Sequence, residues 1–119
     1  MSYVDGFVIP VPTANKQAFV DQAREFDSVL KEFGALRIME CWGDDVPHGK
    51  LTDFYRAVQA ADGETVVFSW VEWPDKATRD AGFAKMEALM ATDPRFKDKP
   101  MVFDGKRLIF GGFSPVVAL

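Results

Sequence analysis

The chain has 119 residues and a mass of 13.3 kDa, enough for one domain and too little for two ordinary ones. At that mass a folded monomer exposes roughly 6,500 Å² against roughly 19,000 Å² unfolded, a ratio that supports a core without disulfides or a structural metal. Hydrophobic residues at 48% and charged residues at 27% exclude a disordered chain, and a net charge of −4 has the wrong sign for non-specific binding to nucleic acid or an anionic membrane. No apolar run approaches the length of a membrane span, and residues 1–5 lack the basic-then-apolar order of a secretory leader. Cys41 is the only cysteine, so neither an internal disulfide nor a cysteine zinc cage is available. The expectation is a cytoplasmic protein forming a single domain over residues 1–119, with neither nucleic acid nor membrane as a partner.

Residues 3–11 read as a strand of β-branched and aromatic residues, closed by Pro10 and Pro12, which cannot donate to a ladder. Thr13 or Asn15 then stands where a side chain can cap a helix. Phe19, Ala23, Phe26, Leu30 and Phe33 recur at alternating steps of four and three, which predicts a helix with one apolar stripe. Gly34 follows where a left-handed C-terminal cap is wanted. Residues 35–43 return as a second strand.

Residues 43–63 carry no long periodic pattern and form an insertion between the second and third strands, with room for a short helical turn within 52–61. Val46, Leu51, Phe54, Tyr55 and Val58 are too many apolar residues for a solvated tether, so the segment is expected to pack down as an ordered flap. Asp44, Asp45 and His48 would stay partly exposed at its start. Asp62-Gly63 signals a turn into a third strand at residues 64–73. Pro74 ends it and opens a second helix, with Asp75 in the first turn; Gly82, Phe83, Met86, Leu89 and Met90 share one face. Asp93-Pro94 stops that helix, and Asp104-Gly105 turns the chain into a last strand at residues 106–113.

The order strand, helix, strand, strand, helix, strand predicts an α+β, ferredoxin-like fold: a four-stranded antiparallel sheet with two helices on one face. The strands, however, are apolar on both sides. Val66, Phe68 and Trp70 oppose Val67, Val71 and Trp73; Val4 and Val8 oppose Phe7, Ile9 and Val11. A sheet wet on one side should alternate apolar with polar residues, and these strands do not. Two helices cover one face only. The expected cover for the other is a second copy, giving a homodimer through the sheet faces.

Three stretches carry a resemblance: Tyr3-Val4-Asp5-Gly6-Phe7-Val8-Ile9-Pro10-Val11-Pro12, Gly43-Asp44-Asp45-Val46-Pro47-His48-Gly49-Lys50, and the run from Phe103-Asp104-Gly105 through Gly111-Gly112-Phe113. Together with Phe54-Tyr55-Arg56-Ala57-Val58, Val66-Val67-Phe68-Ser69-Trp70 and Arg79-Asp80, they resemble the YbaA-like family of small bacterial proteins, which carries a domain of unknown function. The resemblance spans essentially the whole chain. It implies a dimeric α+β barrel, in which two ferredoxin-like sheets pack face to face. The wider superfamily includes cofactor-free quinone-forming monooxygenases, muconolactone isomerases and haem-binding relatives, but the family supplies no catalytic residues to carry over, and a shared fold does not fix a chemistry.

His48 is the only histidine. A functional reading makes it a general acid/base oriented by Asp44 or Asp45; the plainer reading is a solvated turn. The ligand spacing of a hard-ion loop is missing, and nothing fixes His48 toward a haem pocket, so neither a metal nor a cofactor is expected. Cys41 has no basic neighbour in sequence and reads as a small apolar residue rather than a nucleophile. Asp5, Arg37, Glu40, Ser69, Glu72 and Arg107 interrupt apolar strands. In an inter-sheet space they must pair or line a wet cavity; at strand ends they would form structural ion pairs.

Two function classes follow. The first is an enzyme or binding protein for a small organic molecule, its pocket lying between sheet and long loop in the dimer. Glu40, Asp44, Asp45 or His48 would do the acid/base work, and Trp42, Phe54, Phe68, Trp70 and Arg107 would line the ligand. Monooxygenase-like or isomerase-like chemistry enters by superfamily analogy alone. The second is a non-catalytic dimeric module, stress-associated or regulatory, acting through its surface.

Overall fold

Strands β1 (Tyr3–Pro12) and β3 (Glu64–Trp73) form the centre of the sheet, antiparallel from the Tyr3–Trp73 pair to the Pro12–Glu64 pair. Strand β2 (Arg37–Trp42) pairs with β3 and strand β4 (Ile109–Phe113) with β1, both antiparallel, giving the order β2-β3-β1-β4. Helices α1 (Lys16–Glu32) and α3 (Lys76–Thr92) follow β1 and β3, and a short α2 (Phe54–Ala57) lies in the connection from β2 to β3. The computed structural model describes residues 2–119. Its architecture is the α+β, ferredoxin-like arrangement that the order of elements predicts.

Alternation along the strands decides which side chains meet the helices. Ile9 and Val11 of β1 and Val67 of β3 pack with Phe19 of α1, while Val71 and Trp73 pack with Val29 and Leu30 of α1 and Met86 of α3. These are the fully buried positions, and they account for the apolar stripes of both helices. Gly34, at φ +114°, takes the left-handed conformation after α1, and an added Cβ there would lie 2.6 Å from Thr78 Cγ2. At the start of α3, Asp75 stands just before the first turn rather than in it and caps the helix, its carboxylate accepting from the Thr78 amide at 2.7 Å.

The start of α1 is built differently from the expectation. A 3-10 turn at Thr13–Asn15 precedes it, and neither side chain caps the helix. Thr13 Oγ1 instead lies 2.7 Å from Thr65 Oγ1, and Asn15 Nδ2 donates to the Val102 carbonyl at 3.1 Å. The last strand is also shorter than residues 106–113. Lys106 donates its amide to the Asp104 carboxylate at 3.0 Å, and Arg107 is held by Glu64, so both belong to a turn.

The flap is ordered by its own polar groups. Asp53 caps α2, accepting from the amides of Arg56 at 2.7 Å and Gly49 at 3.0 Å, and Tyr55 Oη donates to the Val46 carbonyl at 2.9 Å. Val58 is fully buried, and Phe54 meets Phe68 edge-on, with centroids 6.1 Å apart. Asp44, Asp45 and His48 stay exposed.

The face of the sheet away from α1 and α3 remains largely open. Phe68 is 45% exposed, Ile109 45% and Phe113 62%. The molecule is a slab of 39 × 38 × 20 Å with a radius of gyration of 14.9 Å, against about 13.5 Å for a compact chain of this length. Its surface of 7814 Å² exceeds by about a fifth the area of an ordinary folded monomer of this mass. Among the described residues, no helix is long and apolar enough to cross a membrane.

Candidate functional site

The sheet divides the residues that the sequence suggests for one pocket. Glu40 and Trp42 fall on the side of β2 that faces α1, whereas Phe68 and Trp70 of β3 fall on the open side, with Phe54 packed over Phe68. The physical reason is the two-residue repeat: Trp42 is paired with Val67, and Val67 and Phe68 point to opposite faces. Asp44, Asp45 and His48 lie in the exposed start of the flap. His48 stacks on Tyr55 at 4.3 Å, and its carboxylate neighbour is Asp53, at 3.8 Å, rather than Asp44 or Asp45. Arg107 is committed to ion pairs with Glu64 at 2.7 Å and Asp104 at 3.0 Å, and it also donates to the Gln59 carbonyl.

Two concavities result. A trough of about 660 Å³ on the open face runs over Val4, Val8, Phe68, Trp70, Glu72 and Phe113; within it Trp70 Nε1 donates to Glu72 at 2.9 Å. A cleft of about 550 Å³ lies between α1 and β2, with Lys16, Val20, Arg24 and Asp27 from the helix meeting Glu40 and Trp42 from the strand. Both fall within the volume range of small-molecule sites. The cleft brings together two carboxyls, Asp27 and Glu40, whose titration is altered by where they sit.

Its floor is aromatic. Trp42 tilts against Phe19, centroids 6.2 Å apart, and the Lys16 ammonium stands 5.5 Å from the centre of the Trp42 ring. Beside that floor the carboxyls of Asp27 and Glu40 stand close enough to interact. Burial between helix and strand, then the hydrogen bond to Glu40 and the repulsion of its charge, push the Asp27 carboxyl up to about 8. Glu40 is exposed at the mouth of the cleft, yet the neighbouring helix removes enough water to push its carboxyl up as well, opposed by Asp27 and Ser69, which favour its charged form. Burial and mutual repulsion both act against a doubly charged pair, so the two carboxyls favour sharing a proton. Two carboxyls that share one proton offer an acid and a base side by side.

Asp27 is the residue that sequence reasoning misses. It follows Phe26 on the border of the α1 stripe, where a carboxylate ordinarily points to water. Only the tertiary register that sets α1 over β2 brings it to Glu40. The other ionic groups have structural roles. Hydrogen bonds from Arg56 and Gly49 hold Asp53 below the usual carboxylate range, and Arg107 does the same for Glu64. Among the described residues, no group of three or more His, Cys, Asp or Glu is arranged to hold a metal ion.

Residues 2–105 match the family described as "Protein of unknown function (DUF1428)". The chain is 52% identical to the uncharacterized protein YbaA of Escherichia coli strain K12 over 98% of both chains, and equally to that of Shigella flexneri. Among solved structures it is similar to a dimeric ferredoxin-like protein from an uncultured marine organism, with a TM-score of 0.60 and 14% identity over 99% of this chain and 96% of that one. That likeness speaks to the fold.

Proposed function

We propose that this chain, which belongs to the DUF1428 family, acts as a homodimer that relocates a proton on a small organic molecule bound between α1 and β2. The observation that carries the reading is the Asp27–Glu40 carboxyl pair beside the Trp42 floor. Neutral Asp27 donates its proton to a carbonyl oxygen of the substrate while the Glu40 carboxylate takes one from the adjacent carbon. The product is a tautomer, no electrons are gained or lost, and the pair regains its single proton when the proton passes back from Glu40 to Asp27 or out to water.

The second copy covers the open face. Exposed Phe68, Ile109 and Phe113 and the excess surface of the slab support this, because a stable pair needs on the order of 800 Å² from each partner. The dimeric description of the marine structural relative supports it too. The α1–β2 cleft lies on the opposite side of the sheet and stays reachable in such a pair. The free Cys41 thiol supports a reducing, cytoplasmic setting.

The test is proton exchange. The protein is incubated in deuterium oxide with a panel of small enolisable carbonyl compounds, and loss of their C–H signals is followed by NMR. The expected result is accelerated exchange for at least one compound, reduced about 10²–10⁴-fold in Asp27→Asn and Glu40→Gln, both retaining the parent's circular dichroism. No acceleration by the parent across the panel, or equal rates in the variants, overturns the reading and favours the non-catalytic module.

A further inference from the structure

The cleft carries a charge unlike that of the molecule. The whole chain has 14 Lys+Arg against 18 Asp+Glu, yet Lys16, Arg24, Lys31 and Arg37 all line this one cleft against two carboxyls, Asp27 and Glu40. Two of the cations are occupied: Lys31 donates to the Leu36 carbonyl at 2.7 Å, and an Arg37 Nη2 rests 3.7 Å from the Met39 sulfur. The other two are not. Among the described residues, neither Lys16 nor Arg24 forms an ion pair, and Lys16 stands over the Trp42 ring. An aromatic floor with unpaired cations at its rim attracts a flat anion, since the ring stacks while the charge is met at the edge.

We infer that the ligand of the α1–β2 cleft is a planar, ring-bearing carboxylate, its acid group held by Arg24 and Lys16 and its ring laid against Trp42. The inference rests on the proton-transfer reading only in sharing the cleft. Arg24 lies one helical turn before Asp27, so an acid group at Arg24 leaves the rest of the ring beside the carboxyl pair. Arginine suits the role, because its planar fork matches a carboxylate in two parallel hydrogen bonds.

Calorimetric titration of the intact protein with three probes of one shape tests this: meta-hydroxybenzoate, meta-hydroxybenzamide and meta-hydroxybenzylammonium. The carboxylate is expected to bind with a Kd below about 1 mM, the amide about tenfold more weakly or worse, and the ammonium not at all. Arg24→Gln and Lys16→Gln should each weaken the carboxylate about fivefold and leave the amide unchanged, and added salt should weaken the carboxylate alone. An amide that binds as tightly as the carboxylate, variants that bind the carboxylate like the parent, or no binding of any probe at about 10 mM overturns the inference. Asp27→Asn separates it from the proton-transfer reading. Retained carboxylate preference without exchange activity in the parent sinks the catalytic reading alone; exchange of uncharged compounds without carboxylate preference sinks this one alone.

Discussion

Asp5 and Arg79 meet at the boundary of β1 and α3, with Arg79 Nη2 2.8 Å from Asp5 Oδ1 and the carboxylate wholly out of water. Trp73 Nε1 donates to the same carboxylate at 2.9 Å, and the guanidinium lies over the rings of Tyr3 and Phe83 at 5.1 and 5.0 Å. The hydrogen bonds to Asp5 hold Arg79 above its ordinary range. Removing Asp5 leaves the largely buried guanidinium with only the half-exposed Asp80 and takes the acceptor from Trp73, so Asp5→Ala is expected to cost about 3–5 kcal/mol in chemical denaturation. Asp5→Leu, which fills the space without a charge, leaves Arg79 with Asp80, at 2.9 Å, as its remaining ionic partner and should not restore the parent's stability.

Gly82 lets α3 lie close against the sheet. An added Cβ would fall 2.7 Å from Trp73, a ring that is fully buried and tied to Asp5. Gly82→Ala should therefore lose about 1–3 kcal/mol through overpacking, although alanine is the better helix former. A midpoint equal to or above the parent's would show that the helix can retreat without loss.

The architecture was legible because its signals are local. The stripe from Phe19 to Phe33 marks α1, Asp75 marks the start of α3, and residues 64–73 read directly as β3. Glu40 and Trp42 were also visible, since a carboxylate and a large ring on one side of an apolar strand invite attention. Their partner was not. The Asp27–Glu40 meeting depends on how α1 lies over β2, which no spacing within either element encodes. Grouping Phe68 and Trp70 with Trp42 fails for a related reason: sequence shows that a strand has two faces but not which faces of two strands coincide. Thr13 and Asn15 suggest caps because capping is the commonest local use of such residues, but both are drawn instead to Thr65 and Val102.

The open face should carry the partner copy. In light scattering at micromolar concentration the parent is expected at twice 13.3 kDa. Phe68→Glu, a charge at the centre of the exposed aromatic patch, should shift the population toward monomer while far-UV circular dichroism is retained. A parent that stays monomeric and fully folded contradicts the dimer.

Stability should also respond to pH through Asp27. A carboxyl raised to about 8 in the folded chain binds more protons folded than unfolded between its unfolded value and about 8. The stability it contributes is full below about pH 4 and is lost as the pH rises through 8. Glu64, lowered by Arg107, works in the opposite sense, its contribution being lost as pH falls. Comparing variant with parent isolates the first effect: Asp27→Asn should gain in relative stability between pH 5 and pH 9. A constant difference across that range would place the Asp27 titration elsewhere.

The most direct measurement is the titration of the Asp27 side-chain carboxyl by carbon-detected NMR. The shared proton requires its midpoint near 8 in the parent, and a clear fall toward the ordinary range in Glu40→Gln, where the neighbouring negative charge is gone. An Asp27 carboxyl that titrates near 4 in the folded parent would mean that Asp27 is ionised at neutral pH, and the account in which it is the acid of the cleft would be wrong.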